Sequence, residues 1–476
     1  MQTGKWMSMI PWVVAFAEGF ATLAVEVIGI RLAIPVAGSS VILTGVMLGV
    51  VLFALSAGYW RGGTLSARWD REKTRQVLAR NLLFASAFYG AISFPFEARL
   101  LDWLLGFFGL PMSIGLTAGL LFLLPVYFAS QTVPMLAELT NSSGSAGEAS
   151  GKVLFFSTIG SVAGGMITPV YLFPLLGVTQ TSYLVCAVLA AAAISMAGGF
   201  RRLAFAAASL AAAVGVQAVM AGPADRFSFD SAYQSIRVAD EANDEKRVER
   251  VMYVGGGRAS GLWADTGESS FPYTLAAERI LKANMTGRVL VVGAAGFSFP
   301  RDVARYGGVE RIDAVDVDPA VKGIAETYFL GAKLSGKIHF LPLSARYAVR
   351  KLHRDGNRYG FAFVDAYFGK GIPDELVTTE FFKDVRALAG HTAINSIMDR
   401  AVASAFARNL LASFREAFGE VWLVDVRPED TDTFTNYLVL NWPAEGAKRW
   451  NGSGTVYRDD RNAADRDRVS LIWGSE

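Results

Sequence analysis

The chain has 476 residues, 52% of them hydrophobic and only 18% charged, with a formal net charge of +2 and a mean hydropathy of +0.33. A chain this apolar and this rich in aromatics is neither disordered nor an ordinary soluble enzyme, and its length suggests about two or three domains. The near balance of charge argues against nucleic-acid binding and against a polybasic membrane patch. A lone Cys186 excludes an intrachain disulfide, and three histidines (His339, His353, His391) beside one thiol argue against a metal site.

The apolar excess lies in the first half, where runs long enough to cross a hydrocarbon core of about 30 Å recur. Seven spans are expected, at 10–33, 41–60, 82–96, 113–129, 153–176, 182–196 and 203–221, so that residues 1–222 form a transmembrane helical domain in contact with the lipid bilayer. The first run is not a cleaved signal peptide, because it carries Glu18 and Glu26 and continues into Arg31 without a small-residue cleavage site. The loop 61–80 is the most basic short loop and is expected on the cytoplasmic side. Seven crossings then carry everything after residue 221 to the outer face, but one extra crossing at 99–110 reverses that, so the side stays open.

Two features of this half stand out. Gly45 with Gly49, and Gly160 with Gly164, place small residues one turn apart, which allows close helix approach. Glu18 and Glu26 lie within roughly 80° of each other on one broad helix face. Carboxylates at membrane depth are costly and usually face an interior, either as a cation or amine site or paired with Arg31 or another helix.

From residue 223 onward the composition changes. After a polar entry segment at 225–250, strand-like and helix-like patterns alternate. Strands are expected at 288–292, 311–316, 338–341, 361–365, 392–396, 421–426 and 437–441, with helices near 300–306 and 319–328. That alternation implies a Rossmann-like α/β fold with a parallel sheet covered on both faces. The first strand ends in Gly293-Ala294-Ala295-Gly296, and Asp316 ends the second, 20 residues after Gly296. A glycine loop that lets the backbone approach a ligand, followed by an acid that accepts ribose hydroxyls, is a nucleoside-binding arrangement. The loop lacks the full G-x-G-x-x-G fingerprint. Gly255-Gly256-Gly257 reads as a hairpin turn rather than a phosphate cradle.

At this point the chain resembles the spermidine synthase family, the polyamine aminopropyltransferases of the class I methyltransferase fold, and in particular its membrane-fused bacterial members. In the first half the likeness rests on EGFATLAVEVIGIRLAIPVAGSS, ASQTVPML and STIGSVAGGMITPVYLFPLLG; in the second, on SAYQSIRV, FPY, VLVVGAAG, DAVDVDP and VDAYFGKGIPDELVTTEFF. The resemblance implies that Gln234 lies beside the thioether part of the nucleoside and that Tyr273 stands at the mouth of the amine pocket. It makes Asp316 the ribose acid and Asp365 the group that helps deprotonate the attacking amine. It implies decarboxylated S-adenosylmethionine as co-substrate, with methylthioadenosine leaving.

The sequence also departs from that family. The acid of the family's GGGDGG loop is replaced at Phe297 or its neighbours, its DGR is here Ser344-Ala345-Arg346, its D-x-x-D is Asp365-Ala366-Tyr367-Phe368, and Thr274 replaces the histidine after the pocket tyrosine. A diamine needs anionic partners for two ammonium groups, so these losses argue against putrescine. The expected site is therefore Asp365 and Tyr273 for chemistry, with Gln234, Gly293, Gly296, Asp316 and Ser344 around the nucleoside. Asp365 has the alternative of capping a strand end, and Tyr273 and Tyr367 that of lining a hydrophobic wall.

Three readings follow. One is an aminopropyl or alkyl transferase with a small-molecule amine or membrane-associated acceptor. Another is a methyltransferase using S-adenosylmethionine. The last is a non-catalytic nucleoside- or polyamine-binding sensor or transporter. Each is expected in a multi-pass protein of the bacterial inner membrane, with a homodimer among its assemblies.

Overall fold

The computed structural model describes residues 2–37, 41–91, 94–141, 145–197, 199–220, 225–243, 246–282, 287–369, 371–464 and 466–468. The chain divides into two compact units, Met1–Pro223 and Ala224–Glu476.

The first unit is helical: α1 (Gln2–Ala37), α2 (Val41–Ser66), α3 (Arg71–Ala91), α4 (Phe94–Leu105), α5 (Leu110–Ala118), α6 (Leu124–Ser130), α7 (Thr132–Thr140), α8 (Ala146–Ile167), α9 (Phe173–Met196) and α10 (Phe200–Met220). Among the described residues four stretches are long and apolar enough to cross a membrane: Met9–Ile34, Val41–Ser66, Leu110–Thr140 and Ala146–Met196. Large apolar side chains such as Phe53, Trp60, Leu154, Phe155 and Leu175 point outward, a surface suited to lipid rather than water.

The expected spans 153–176 and 182–196 both fall in the 51-residue stretch Ala146–Met196. At about 1.5 Å per residue this is far longer than one crossing needs. It is broken by a π-helical turn at Thr168–Leu172 and by Gly177, whose φ of 77° no helix tolerates. The span 82–96 falls on α3 and α4, with residues 92–93 outside the described residues; 203–221 falls on α10, with 221 outside them.

The basic stretch 61–80 is not a loop. It is the end of α2, a turn at 67–70 and the start of α3. Arg, Lys, Glu and Gln are good helix formers, and Asp70 starts α3 by accepting the Lys73 N–H at 2.7 Å.

The two glycine pairs differ. A Cβ on Gly160 or Gly164 would run into the backbone carbonyl of Phe16 or Phe20, so these glycines set the contact of α8 with α1. Gly45 and Gly49 face open space, with nothing within 4 Å, so the close approach expected there does not occur.

The polar entry segment expected at 225–250 falls in an antiparallel sheet: β1 (Phe227–Asp230), β2 (Ser235–Ala242), β3 (Val248–Val254) and β4 (Gly257–Trp263). Gly255 and Gly256 form the two-residue turn between β3 and β4, both with positive φ, as a twisted hairpin requires. After α11 (Pro272–Leu281) come β5 (Gly287–Val292), α12 (Ser298–Val303), β6 (Val309–Asp316), α13 (Ala320–Ile324), β7 (Ile338–Pro342), α14 (Ala345–Arg354), β8 (Tyr359–Val364), α15 (Thr379–Leu388), β9 (Ala389–Asp399), α16 (Ala405–Phe418), β10 (Trp422–Asp425), β11 (Phe434–Leu440) and β12 (Lys448–Arg449).

The second sheet has the order β12-β10-β11-β9-β8-β5-β6-β7. The ladders of β5 with β6 and β8, β6 with β7, and β8 with β9 are parallel; β11 runs antiparallel to β9. Strand side chains alternate between faces. Leu290 and Val292 enter the core under α14, α15 and α16, while Val289 and Val291 enter the one that includes Phe299, Val303 and Val321. This is the strand order of the class I methyltransferase fold. Its direction reverses between β5 and β8, which opens a crevice at their carboxyl ends.

Candidate active site at the carboxyl ends of β5, β6 and β8

Asp365 follows β8, and its main-chain N–H donates to the Val292 carbonyl at the end of β5 at 2.7 Å. The two strand ends meet so tightly that a Cβ on Gly293 would overlap the Asp365 carbonyl, and Gly293 has a φ of 96°. Glycine is required here on both counts. The next loop residues are also strained: Ala295 and Phe297 have φ of 38° and 58°. Phe297, among the residues of the loop from which the family's acid is missing, turns its side chain into the core, fully buried and edge-on to Phe340 at 5.4 Å. Gly296 donates its N–H to Ser260 Oγ at 3.0 Å, tying the loop to β4.

Asp316, at the end of β6, accepts the N–H groups of Ala294 and Ala295 on Oδ2 at 3.3 and 3.2 Å, and that of Asp318 on Oδ1 at 3.1 Å. The carboxylate is thereby oriented across the loop. These bonds are long, and a carboxylate offers about four lone-pair sites, so hydroxyl donors still fit on it. Burial pushes its carboxyl above the usual range, opposed by the amide bonds.

The chemistry-bearing pair is Tyr273 and Asp365. The Tyr273 hydroxyl, on the first turn of α11, donates to Asp365 Oδ2 at 2.8 Å. Asn395, from β9, donates its amide to Oδ1 at 2.8 Å, and the Asn395 carbonyl oxygen accepts from the Asn436 amide at 2.9 Å. Asn436 sits on β11 and thereby fixes which way the Asn395 amide faces. Burial lifts the Asp365 carboxyl to about 7, against the lowering effect of its two donors. Tyr273 is pushed well above the ordinary phenol range by burial and by the neighbouring Asp365 charge, and so stays a donor. Tyr367 stands beside the pair, accepting the Ile397 N–H at 3.1 Å and donating to the main-chain carbonyl of Asn395 at 3.3 Å.

Asp365, Tyr273, Gly293, Gly296 and Asp316 thus lie together at the carboxyl ends of β5, β6 and β8. Gln234 is buried in a turn held by Ser231, whose hydroxyl accepts the Gln234 N–H at 2.9 Å and donates to Asp318 Oδ2 at 2.5 Å. That anchors Gln234 to the loop after Asp316. Ser344 lies beyond β7, the strand beside β6, where Asp316 is in register with Pro342. It is the exposed residue before α14 and makes no side-chain cap. Asn395 and Asn436 carry no motif. Their only sign in the sequence is a polar residue inside an apolar strand, AINSIMD and FTNYLVL.

No protein-family model matches the chain. Its C-terminal part is similar to a polyamine aminopropyltransferase of Vibrio vulnificus, 28% identical over 166 residues, which is 34% of this chain and 53% of the relative. The alignment therefore spans about half the length of that relative. Among solved structures, a probable spermidine synthase from Corynebacterium glutamicum is 17% identical, covering 46% of this chain and 80% of that one with a TM-score of 0.38. Spermidine synthase from Thermotoga maritima is 16% identical, covering 49% and 81%, with a TM-score of 0.35. The C-terminal unit is spermidine synthase-like in sequence, carried on a sheet with class I methyltransferase strand order and preceded in the chain by long apolar helices.

Proposed function

We propose that the protein is a multi-pass enzyme of the bacterial inner membrane that transfers an aminopropyl or related alkyl group from an S-adenosyl donor to a primary amine. The observation that carries this reading is the Asp365 carboxylate: buried, held by Tyr273 and Asn395 at 2.8 Å each, and poised near neutrality at the switch point of the sheet. A base near the working pH is the most effective general base. An acceptor amine reacts only through its free lone pair, so its ammonium proton must leave, and this reading gives Asp365 the role of taking it.

The residues present fit the donor. Asp316 presents its carboxylate to ribose hydroxyls, Gln234 is anchored to the loop that follows Asp316, and Gly293 lets the ends of β5 and β8 meet beneath them. When bound, the donor supplies an electrophilic carbon next to a cationic sulfur. The negative charge of Asp365 favours that cation in a water-poor crevice. Around Asp365 the chain places Thr274, Ala366, Tyr367 and Phe368, which carry no negative charge. That lining suits an acceptor with a single ammonium group and an apolar body, including one delivered from the membrane.

The test is product analysis with the purified full-length protein. Given decarboxylated S-adenosylmethionine and a panel of amines, it should release methylthioadenosine, with n-alkyl monoamines outperforming putrescine. Release of S-adenosylhomocysteine from S-adenosylmethionine would instead identify a methyltransferase. Neither product, with nucleoside still raising the melting temperature, would leave a binding role only.

A further inference from the structure

The segment VDAYFGKGIPDELVTTEFF carries more than Asp365. After Asp365 the chain runs through Tyr367, whose hydroxyl is held on β9, to Phe368 and Gly369, and returns through Gly371. The Phe368 N–H donates to the Gly371 carbonyl at 2.9 Å and closes the turn. The tip abuts the β3–β4 hairpin, since a Cβ on Gly257 would come within 2.6 Å of the Gly369 carbonyl oxygen.

The returning stem is held by a residue 94 positions further on. Arg468 donates from Nη1 to the Ile372 carbonyl at 2.6 Å and from Nη2 to Asp374 Oδ1 at 2.5 Å. Its side chain is only 13% exposed and lies over Phe406, with Cζ 5.7 Å from the ring centre. Gly371 passes so close that a Cβ there would strike the guanidinium. Asn462 donates to the Asp374 carbonyl at 2.7 Å.

The arginine stands on a fixed support. Its neighbour Asp467 is buried and accepts the Tyr457 hydroxyl at 3.0 Å and the Asn409 amide of α16 at 2.9 Å. The Tyr457 carbonyl accepts the Thr379 N–H at the start of α15 at 2.9 Å. A guanidinium withdrawn from water is costly unless its donors are matched. A planar fork that spans a carbonyl and a carboxylate two residues apart fixes the backbone between them, as a lysine cannot. The stem so fixed belongs to the turn that carries Tyr367, on the acceptor side of Asp365. The donor-side residues Asp316 and Gln234 are held by other contacts, to Ala294, Ala295, Asp318 and Ser231.

We propose that Arg468 is a positioning residue for the acceptor side of the site: by holding Ile372 and Asp374 it fixes the turn that seats Tyr367 beside Asp365. The kinetic consequence rests on the transferase reading; the fixing of the turn does not.

The test pairs hydrogen exchange with steady-state kinetics on the full-length protein in lipid nanodiscs. Without substrate, Arg468→Gln should speed exchange of the Phe368 and Ile397 N–H groups at least about tenfold, while strand β5 stays protected. With decarboxylated S-adenosylmethionine and n-butylamine, KM for the amine should rise at least about fivefold and KM for the donor stay within about twofold. The acid limb of the kcat/KM profile should not move, because no bond to Asp365 is lost, and Arg468→Lys should recover only part of the amine KM. Asp374→Asn leaves Arg468 its backbone partner and should shift both readouts the same way by less; it decides the matter if Arg468→Gln also unprotects β5. Unchanged exchange at Phe368 and Ile397, or equal rises in both KM values, would overturn the proposal. Faster exchange in a chain whose wild type transfers nothing would sink the transferase reading and leave the clamp standing.

Discussion

The Tyr273 hydroxyl donates to Asp365 Oδ2 at 2.8 Å, joining the first turn of α11 to the end of β8. Because that bond favours the charged carboxylate, it holds Asp365 below the value burial alone would impose. Tyr273→Phe should therefore move the acid limb of the kcat/KM profile to higher pH. At pH 7 activity should fall roughly 10- to 100-fold, the cost of a hydrogen bond to a charged group. Much of that loss should return at pH 9, where Asp365 ionises regardless. A uniform loss at every pH would mean that Tyr273 shapes the pocket without tuning the base.

The parts of this site that were legible in the sequence are those built from local pattern. The β-branched run Val289–Val292 is recognisable without knowledge of its neighbours, and so are the glycine turn after it and the acid 20 residues on. The hairpin at Gly255-Gly256 is legible for the same reason. Asn395 and Asn436 were not, because their role arises only when β9 and β11 lie side by side in register, across 41 residues of chain. The basic run at 61–80 misled in the opposite direction: charge suggested a loop, while helix propensity and the Asp70 cap made most of it helix.

The amide relay has its own consequence. With Asn436→Ala, the Asn395 amide loses the partner that fixes its orientation, and its carbonyl end can turn toward Asp365. A carbonyl oxygen beside a carboxylate disfavours ionisation. The variant should lose about 3- to 10-fold in kcat/KM at pH 7, with KM for the nucleoside donor unchanged. Asn436→Asp keeps an acceptor but not the donor and should not rescue. Wild-type kinetics in Asn436→Ala would remove the relay from the mechanism.

Asp365 also links stability to pH. Its folded value, about 7, lies above the ordinary carboxylate value of about 4 in the unfolded chain. Its favourable contribution is thus present below pH 4 and is lost as pH rises to 7, above which the buried charge is a cost. Asp365→Asn removes that titration. The variant's melting temperature relative to wild type should rise between pH 4 and 7 and level off above, by up to roughly 8–16 °C for a linkage of about 4 kcal/mol. Parallel melting curves across that range would show that the carboxyl titrates normally in the folded protein.

In the membrane unit, the glycines of α8 separate packing from mere composition. A side chain at Gly160 meets the Phe16 carbonyl, part of the backbone of α1, which cannot move aside without shifting the helix. Gly160→Leu should therefore lower the melting temperature in detergent or abolish folding, an overpacking cost of about 1–3 kcal/mol or more. Gly45→Leu, at a position with open space around it, should leave the melting temperature nearly unchanged or raise it slightly, since glycine is the poorer helix former. The two residues are of the same type and both lie in stretches long and apolar enough to cross a membrane. A large loss at Gly45 as well would show that both pairs are buried against neighbours and that small residues mark helix contacts throughout this unit.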